Sequence, residues 1–129
     1  MNQHLASFAA GDHARVHHFL GAHIRRDGVH FAVWAPNAQR VQVAGDFDDW
    51  QGIDLAGTPS GVWFGVVPQA QEGQRYKFRV NEVWKADPVA FAGEVPPATA
   101  SIISRRRHRW RDQGWVREEQ RDLPVSIYE

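Results

Sequence analysis

The sequence contains no cysteine among its 129 residues, which excludes disulfides and thiolate metal sites and favours a reducing compartment, the cytoplasm. It also has no excess of charge. Fifteen basic and 15 acidic residues cancel, so overall charge does not attract the chain to nucleic acid or acidic membranes. No run approaches the roughly 18–20 apolar residues of a membrane span, and the first residues lack the pattern of a secretory signal. We therefore expect one compact domain that binds neither nucleic acid nor membrane.

Short segments of alternating apolar and polar residues occupy the middle of the chain. Val29, Phe31 and Val33 point to one side of a predicted strand. Residues 75–80 alternate most clearly, with basic side chains on one face and apolar ones on the other, and residues 81–82 are typical of a hairpin tip. Further strands are predicted at residues 41–43, 62–67 and 100–103, with a long loop or a short edge strand within residues 45–61. Gly and Pro between these segments indicate an all-β antiparallel sandwich.

The two ends of the chain differ from this middle part. Residues 1–20 carry a loose helical pattern that predicts a short helix or an ordered lead-in to a sandwich at residues 21–104. Residues 105–129 begin with a basic run and close on an apolar, β-prone segment at 125–128. Because such a strand needs a pairing partner, we expect this tail to continue into a longer parent polypeptide.

Two of the six tryptophans occupy positions where a large apolar ring is difficult to bury. Trp50 ends a polar loop and Trp84 follows the predicted hairpin tip. An exposed indole can stack on the flat C–H face of a sugar ring, and a neighbouring lysine can donate hydrogen bonds to sugar hydroxyls. The alternative is that both rings merely cover one end of the sandwich, since tryptophan is usually largely buried. The residues alone leave both interpretations open.

Several motifs occur in an order that resembles the amino-terminal region of bacterial 1,4-α-glucan (glycogen) branching enzymes. They are LGAH at 20–23, FAVWAPNAQRVQVAGDFDDW at 31–50, GVWFGVVP at 61–68, GQRYKFRV at 73–80, KADP at 85–88 and the closing PVSIYE. The resemblance covers about residues 19–129. It implies a family-48 carbohydrate-binding module with an early-set immunoglobulin-like fold, placed before a (β/α)₈ barrel of glycoside hydrolase family 13. Because SIYE resembles the first barrel strand, residues 105–129 are expected to be the linker and that strand, without the barrel.

The same resemblance implies a site for α-1,4-glucans such as glycogen and maltooligosaccharides. Related modules bind glycogen with two tryptophans and a lysine, which correspond to Trp50, Trp84 and Lys77, and a small polar pair corresponds to Thr99 and Ser101. The expected function is glucan binding and scaffolding in glycogen biosynthesis, with the parent enzyme's barrel as a partner. One alternative is an interaction domain that packs on the barrel without sugar affinity. Another is the same module from a trehalohydrolase or debranching enzyme.

The acidic residues of the 45–61 segment are the other candidates for chemistry. Two facing carboxylates could support glycoside hydrolysis, but turn formation is the ordinary role of Asp in such a loop. The resemblance places the Asp nucleophile and the Glu acid/base on the barrel, so this chain alone is expected to be non-catalytic. The family often has Asn where this chain has Asp48, and a carboxylate there can accept but not donate hydrogen bonds. The acids concerned are Asp46, Asp48, Asp49 and Asp54.

Histidines and arginines suggest two further ligands. The spacing of His13, His17, His18 and His23 matches no zinc signature, so we expect no metal and no cofactor. Residues 105–111 contain five arginines and could contact phosphates. A solvated or barrel-facing segment is the favoured interpretation of that run.

Overall fold

The computed structural model describes residues 2–116, 124 and 126–128, and its strands form a two-sheet antiparallel sandwich. The strands are β1 (Gly21–Arg25), β2 (Gly28–Trp34), β3 (Val41–Gly45), β4 (Ile53–Asp54), β5 (Ala56–Gly57), β6 (Val62–Val67), β7 (Arg75–Val80), β8 (Val83–Lys85), β9 (Ala92–Gly93) and β10 (Ser101–Ile102). A four-stranded sheet has the order β1, β2, β6, β5. A six-stranded sheet has the order β4, β3, β7, β10, β9, with β8 also paired to β7. The predicted all-β immunoglobulin-like class is confirmed.

The core lies between the two sheets and follows the period of two read from the sequence. Phe31 of β2 packs against Tyr76 and Phe78 of β7, with ring centroids 5.1 and 6.5 Å apart. All three rings are buried, whereas the residues that alternate with them on β7 reach solvent at least in part. This alternation leaves the outer face of the six-stranded sheet free to carry polar side chains.

The predicted short helix is present as α1 (Asn2–Ala9), followed by a single 3-10 turn at Val16–His18. Phe8 of α1 lies in an edge-to-face contact with Phe19 and packs beside Ala32 and Val62. Ala32 alternates with the core residues of β2, so the lead-in covers the outer face of the four-stranded sheet. Helix α1 is far too short to cross a bilayer, and no other helix in the described part of the chain has the length and hydrophobicity to do so.

The predicted hairpin tip joins β7 to β8 through the shortest common type of loop. Asn81 and Glu82 both have positive φ, 45° and 68°, which matches the right-handed twist of the flanking strands. The side-chain oxygen of Asn81 also accepts hydrogen bonds from the backbone N–H groups of Gln39 and Arg40, at 2.8 and 3.1 Å. The hairpin is thereby attached to the segment that leads into β3.

The strand expected at residues 125–128 includes Val125, which lies outside the described residues, so it stays a prediction. Residues 126–128 are exposed and carry no regular secondary structure.

Candidate functional site

The indole rings of Trp50 and Trp84 come together on the outer face of the six-stranded sheet. Their centroids lie 6.2 Å apart at an interplanar angle of 66°. Trp84 is 42% exposed and Trp50 is partly buried. The rings border an open groove of about 310 Å³, which we call the tryptophan groove. It is lined by Trp50, Lys77, Trp84, Glu94 and Ala100.

Trp50 owes its position to a tight turn that Asp48 holds closed. The Asp48 carboxylate accepts hydrogen bonds from the backbone N–H groups of Gly45 at 2.8 Å and Gly52 at 2.7 Å. Asp49 and Trp50 have φ values of 52° and 62°, in the left-handed region that residues with a side chain rarely adopt. The turn role predicted for Asp48 is thus present, and its carboxylate is directed into the loop rather than toward the groove.

The indole of Trp50 is further held by a charged network. Its Nε1 donates to Asp46 Oδ1 at 3.2 Å, and Asp46 accepts from both the backbone and the guanidinium of Arg75 at 2.9 Å. These hydrogen bonds from Arg75 hold the pKa of Asp46 below its usual range. Arg75 also reaches the carboxylate of Glu94 at 3.5 Å. A continuous chain of polar contacts therefore links Trp50 to Glu94, which lines the same groove.

Trp84 is supported from one side by Arg79, its cross-strand partner in the β7–β8 hairpin. The guanidinium carbon lies 5.3 Å from the ring centroid, within the range of a cation–π contact. Arg79 Nε donates to Gln42 Oε1 at 2.8 Å and Nη2 donates to the Gln51 carbonyl at 3.1 Å, while Gln42 itself is buried. A buried amide and a carbonyl thus fix the guanidinium against the ring.

Lys77 lines the tryptophan groove from strand β7. It alternates on β7 with the buried Tyr76 and Phe78, which directs it outward. Its Nζ donates to Thr99 Oγ1 at 2.7 Å, and Thr99 is exposed. Within residues 2–116, Lys77 forms no ion pair with a carboxylate, so its remaining N–H groups are directed at solvent or a ligand.

The structure does not bring Ser101, the remaining predicted residue, to this group. It is 3% exposed, and its hydroxyl accepts a hydrogen bond from the backbone N–H of Asp87 at 2.9 Å. Strand β10 places neighbouring residues on opposite faces, so Ala100 reaches the groove while Ser101 faces the interior. The sequence pattern at residues 100–103 was too short to fix which residue faces the groove.

The other candidates were acidic residues for hydrolysis and histidines for a metal site. Asp54 forms an ion pair with Arg40 at 2.8 Å, and the Asp46 carboxylate is taken up by Arg75 and Trp50. In the part of the chain that the structure describes, no three His, Cys, Asp or Glu side chains are close enough together to hold a metal ion.

The sequence did not predict two residues of this region, Arg79, which contacts Trp84, and Glu94, which lines the groove. Arg79 lies on the basic face predicted for residues 75–80, so its outward direction was foreseeable, but its contact with Trp84 depends on the hairpin register. Glu94 comes from an irregular Ala/Pro-rich stretch with no periodicity from which its direction could be read. Its Oε2 accepts from the backbone N–H of Ala100 at 3.0 Å, which fixes it beside the groove.

The solved structure of apo pullulanase from Paenibacillus barengoltzii has a similar fold. It superimposes with a TM-score of 0.57 at 24% identity, over 77% of this chain and 18% of that chain.

Sequence relatives are longer than this chain. The 1,4-alpha-glucan branching enzyme of Deinococcus radiodurans is 45% identical over 144 residues, covering 99% of this chain and 20% of the enzyme. The branching enzyme of Albidiferax ferrireducens is 43% identical over 137 residues, covering 95% of this chain and 22% of the enzyme. The chain thus spans about a fifth of the length of these relatives.

A family profile, carbohydrate-binding module 48 (isoamylase N-terminal domain), matches residues 19–91. The matched residues make up more than half of the chain and include Trp50, Lys77 and Trp84. The chain therefore belongs to carbohydrate-binding module family 48.

Proposed function

We propose that this chain is the amino-terminal α-glucan-binding and scaffolding module of a 1,4-α-glucan branching enzyme. The observation that carries the proposal is the convergence of Trp50 and Trp84, with ring centroids 6.2 Å apart, on a groove that Lys77 also lines. The branching-enzyme relatives support the choice of an α-1,4-glucan, glycogen or a maltooligosaccharide, as the ligand.

The groove supplies the two kinds of contact that a glucan requires. The indole faces remove apolar C–H surface from water, at roughly 25 cal/mol per Å². Lys77, supported by Thr99, donates to sugar hydroxyls, and the Glu94 carboxylate of the same groove accepts from them. Because the Trp84 ring is already fixed against Arg79, little conformational freedom is lost on binding.

In the parent enzyme the module acts by tethering rather than by chemistry. The complete enzyme cleaves an α-1,4 bond and transfers the glycosyl chain to a 6-hydroxyl, and holding the glucan raises its concentration near the catalytic barrel. Residues 21–104 form the module, residues 1–20 its lead-in, and residues 105–129 the linker and first barrel strand. The absence of cysteine and the branching-enzyme kinship favour the cytoplasm.

Titration of the chain with maltoheptaose and with glycogen, followed by tryptophan fluorescence, tests this proposal. We expect a saturable change at millimolar maltoheptaose. Trp84→Ala removes one stacking surface and is expected to weaken binding by about 1–2 kcal/mol, roughly five- to thirtyfold. Trp110→Ala is the matched control, since that ring is 72% exposed and lies outside the groove. A folded protein that gives no response at millimolar sugar would contradict the glucan-binding role.

A second candidate is an interaction domain that packs on the catalytic barrel without sugar affinity. The exposure of Trp110 and Trp115, at 72% and 71%, favours it, because rings of this size usually cover another surface. Mixing the chain with a separately expressed barrel distinguishes the two functions. Tight association and recovered activity, together with no maltoheptaose binding by the chain alone, would support the interaction domain.

A further inference from the structure

A second and larger cavity lies away from the tryptophan groove. It has a volume of about 540 Å³ and is bordered by the 3-10 turn, by β1 and by the arginine-rich segment that follows β10. This volume is in the range of small-molecule sites. We call it the basic pocket. The lining residues used below are His17, His18, His23, Arg25, Phe91 and Arg106.

Among the described residues, four arginines and no carboxylate line the basic pocket. Glu72 Oε2 forms ion pairs with Arg105 Nε at 3.5 Å and with Arg107 Nη2 at 2.8 Å. Neither Arg25 nor Arg106 forms an ion pair with a carboxylate of residues 2–116. Two guanidinium groups beside the same cavity are therefore not paired with a carboxylate of the described residues.

The positive charges around the pocket affect the pKa of His18 in the 3-10 turn. Desolvation lowers the pKa of His18, and the neighbouring positive charges of His17, Arg15 and Arg106 lower it further. An anion in the pocket would reverse the charge contribution to this shift. The electrostatic environment thus favours a negatively charged occupant over a neutral sugar.

The pocket also has an aromatic wall. Arg106 lies over the ring of Phe91 at 5.6 Å, and the His23 ring meets Phe91 edge-on at 5.6 Å. His23 Nε2 lies 2.9 Å from the Leu20 carbonyl, so Nε2 carries the proton that is donated there. The other ring nitrogen, Nδ1, therefore faces solvent or a ligand.

We propose that the basic pocket binds a phosphate monoester, with its phosphoryl oxygens at Arg25 and Arg106 and its organic group against Phe91. Guanidinium groups pair well with phosphate oxygens because their N–H donors form a planar fork. The volume of about 540 Å³ and the aromatic wall suit a small ester better than an extended polyanion, which binds along longer basic stripes. The site is independent of the tryptophan groove.

Amide chemical shifts of the ¹⁵N-labelled chain test the proposal during titration with glucose 6-phosphate, inorganic phosphate and glucose. We expect saturable shifts at Ile24, Phe91 and Ser104 with glucose 6-phosphate. Inorganic phosphate is expected to shift the same amides with weaker affinity, and glucose to leave them unchanged. Tighter binding of inorganic phosphate than of the ester would overturn the assignment of Phe91 to the organic group.

Variants at exposed arginines make the test specific. Arg106→Gln is expected to weaken ester binding about tenfold, because it removes a hydrogen bond to a charged group. Arg40→Gln removes an equal charge outside the pocket, at an arginine paired with Asp54, and should change affinity by less than about twofold. Trp84→Ala should leave ester binding intact, so failure here is distinguishable from failure of glucan binding.

Three results would overturn the proposal. Amide shifts that grow without saturating would mean that the ester is held only by nonspecific ionic attraction. Equal losses in Arg106→Gln and Arg40→Gln would have the same meaning. Tighter binding of a short single-stranded DNA than of glucose 6-phosphate would make the arginine segment a polyanion-binding surface instead.

Discussion

The indole N–H of Trp50 donates to the carboxylate of Asp46, four residues earlier in the same loop, at 3.2 Å. Asp46 is in turn held by Arg75 from the neighbouring strand β7. One face of the tryptophan groove is therefore oriented by a hydrogen bond to a residue that no ligand needs to contact. The carboxylate that positions the Trp50 ring is therefore separate from the ring face that a ligand would contact.

Asp46→Ala tests that separation. Removing the acceptor frees the indole to leave its position, so we expect maltoheptaose affinity to fall by about 0.5–1.5 kcal/mol, roughly two- to tenfold. The fluorescence spectrum of the free protein should also change, since Trp50 loses its fixed environment. Far-UV circular dichroism should stay that of the parent chain. Unchanged affinity and fluorescence would mean that the turn alone positions the ring.

The low pKa of Asp46 predicts a dependence of stability on pH. Because Arg75 depresses the folded-state pKa below the ordinary value of 3.8, the contribution of this carboxylate is fully present above that value and is lost as pH falls through the folded pKa. The stability difference between the parent chain and Asp46→Asn should shrink between about pH 5 and about pH 2. Urea unfolding at several pH values measures it.

Asp12→Asn is the control for this experiment. Asp12 is exposed and its carboxylate accepts no hydrogen bond within residues 2–116. Its replacement should change the free energy of unfolding by less than about 0.5 kcal/mol. A difference for Asp46→Asn that grows toward acid pH would contradict the assignment.

Tyr76→Phe tests the buried polar contact under β10. The Tyr76 hydroxyl donates to Asp87 Oδ2 at 2.5 Å, and burial raises the pKa of Asp87. Loss of this donor leaves a buried carboxyl group short of a partner, which is expected to cost about 1–3 kcal/mol of unfolding free energy. Tyr128→Phe, at a fully exposed tyrosine, should stay within about 0.5 kcal/mol of the parent chain. Equal effects in the two variants would remove the proposed role of the Asp87 contact.

Gly45→Ala tests the close approach of β3 to β7. A Cβ added at Gly45 would lie 2.2 Å from the Arg75 carbonyl oxygen and 2.7 Å from the Phe47 ring, so the paired backbones must separate. We expect a loss of about 2 kcal/mol or more in thermal or urea unfolding. Gly114→Ala is the control, since an added Cβ there meets no atom of the described residues within 4 Å. A Gly45→Ala protein as stable as the control would contradict this packing.

Local pattern was sufficient to predict the sandwich and part of the groove. The period of two on β7 placed Lys77 on the outer face, and the loop and hairpin tip placed Trp50 and Trp84 near solvent. Pattern could not supply the contact between Asp46 and Arg75, which are 29 residues apart and meet only when β3 and β7 pair. The side of the sheet on which Ser101 lies could not be predicted, because a two-residue strand is too short to show which of its residues face the core.

The two-residue connection between β7 and β8 limits how this binding surface can diverge. Substitutions at the tip keep the register in which Trp84 faces Arg79, whereas a single inserted or deleted residue that shifted the pairing would turn the indole to the opposite side of the sheet. Related chains can therefore vary in the identity of the tip residues and still offer the same aromatic surface. Variation in loop length is expected instead at connections that carry no groove residue, and a sequence with a longer tip should be examined first for loss of the contact between Trp84 and Arg79.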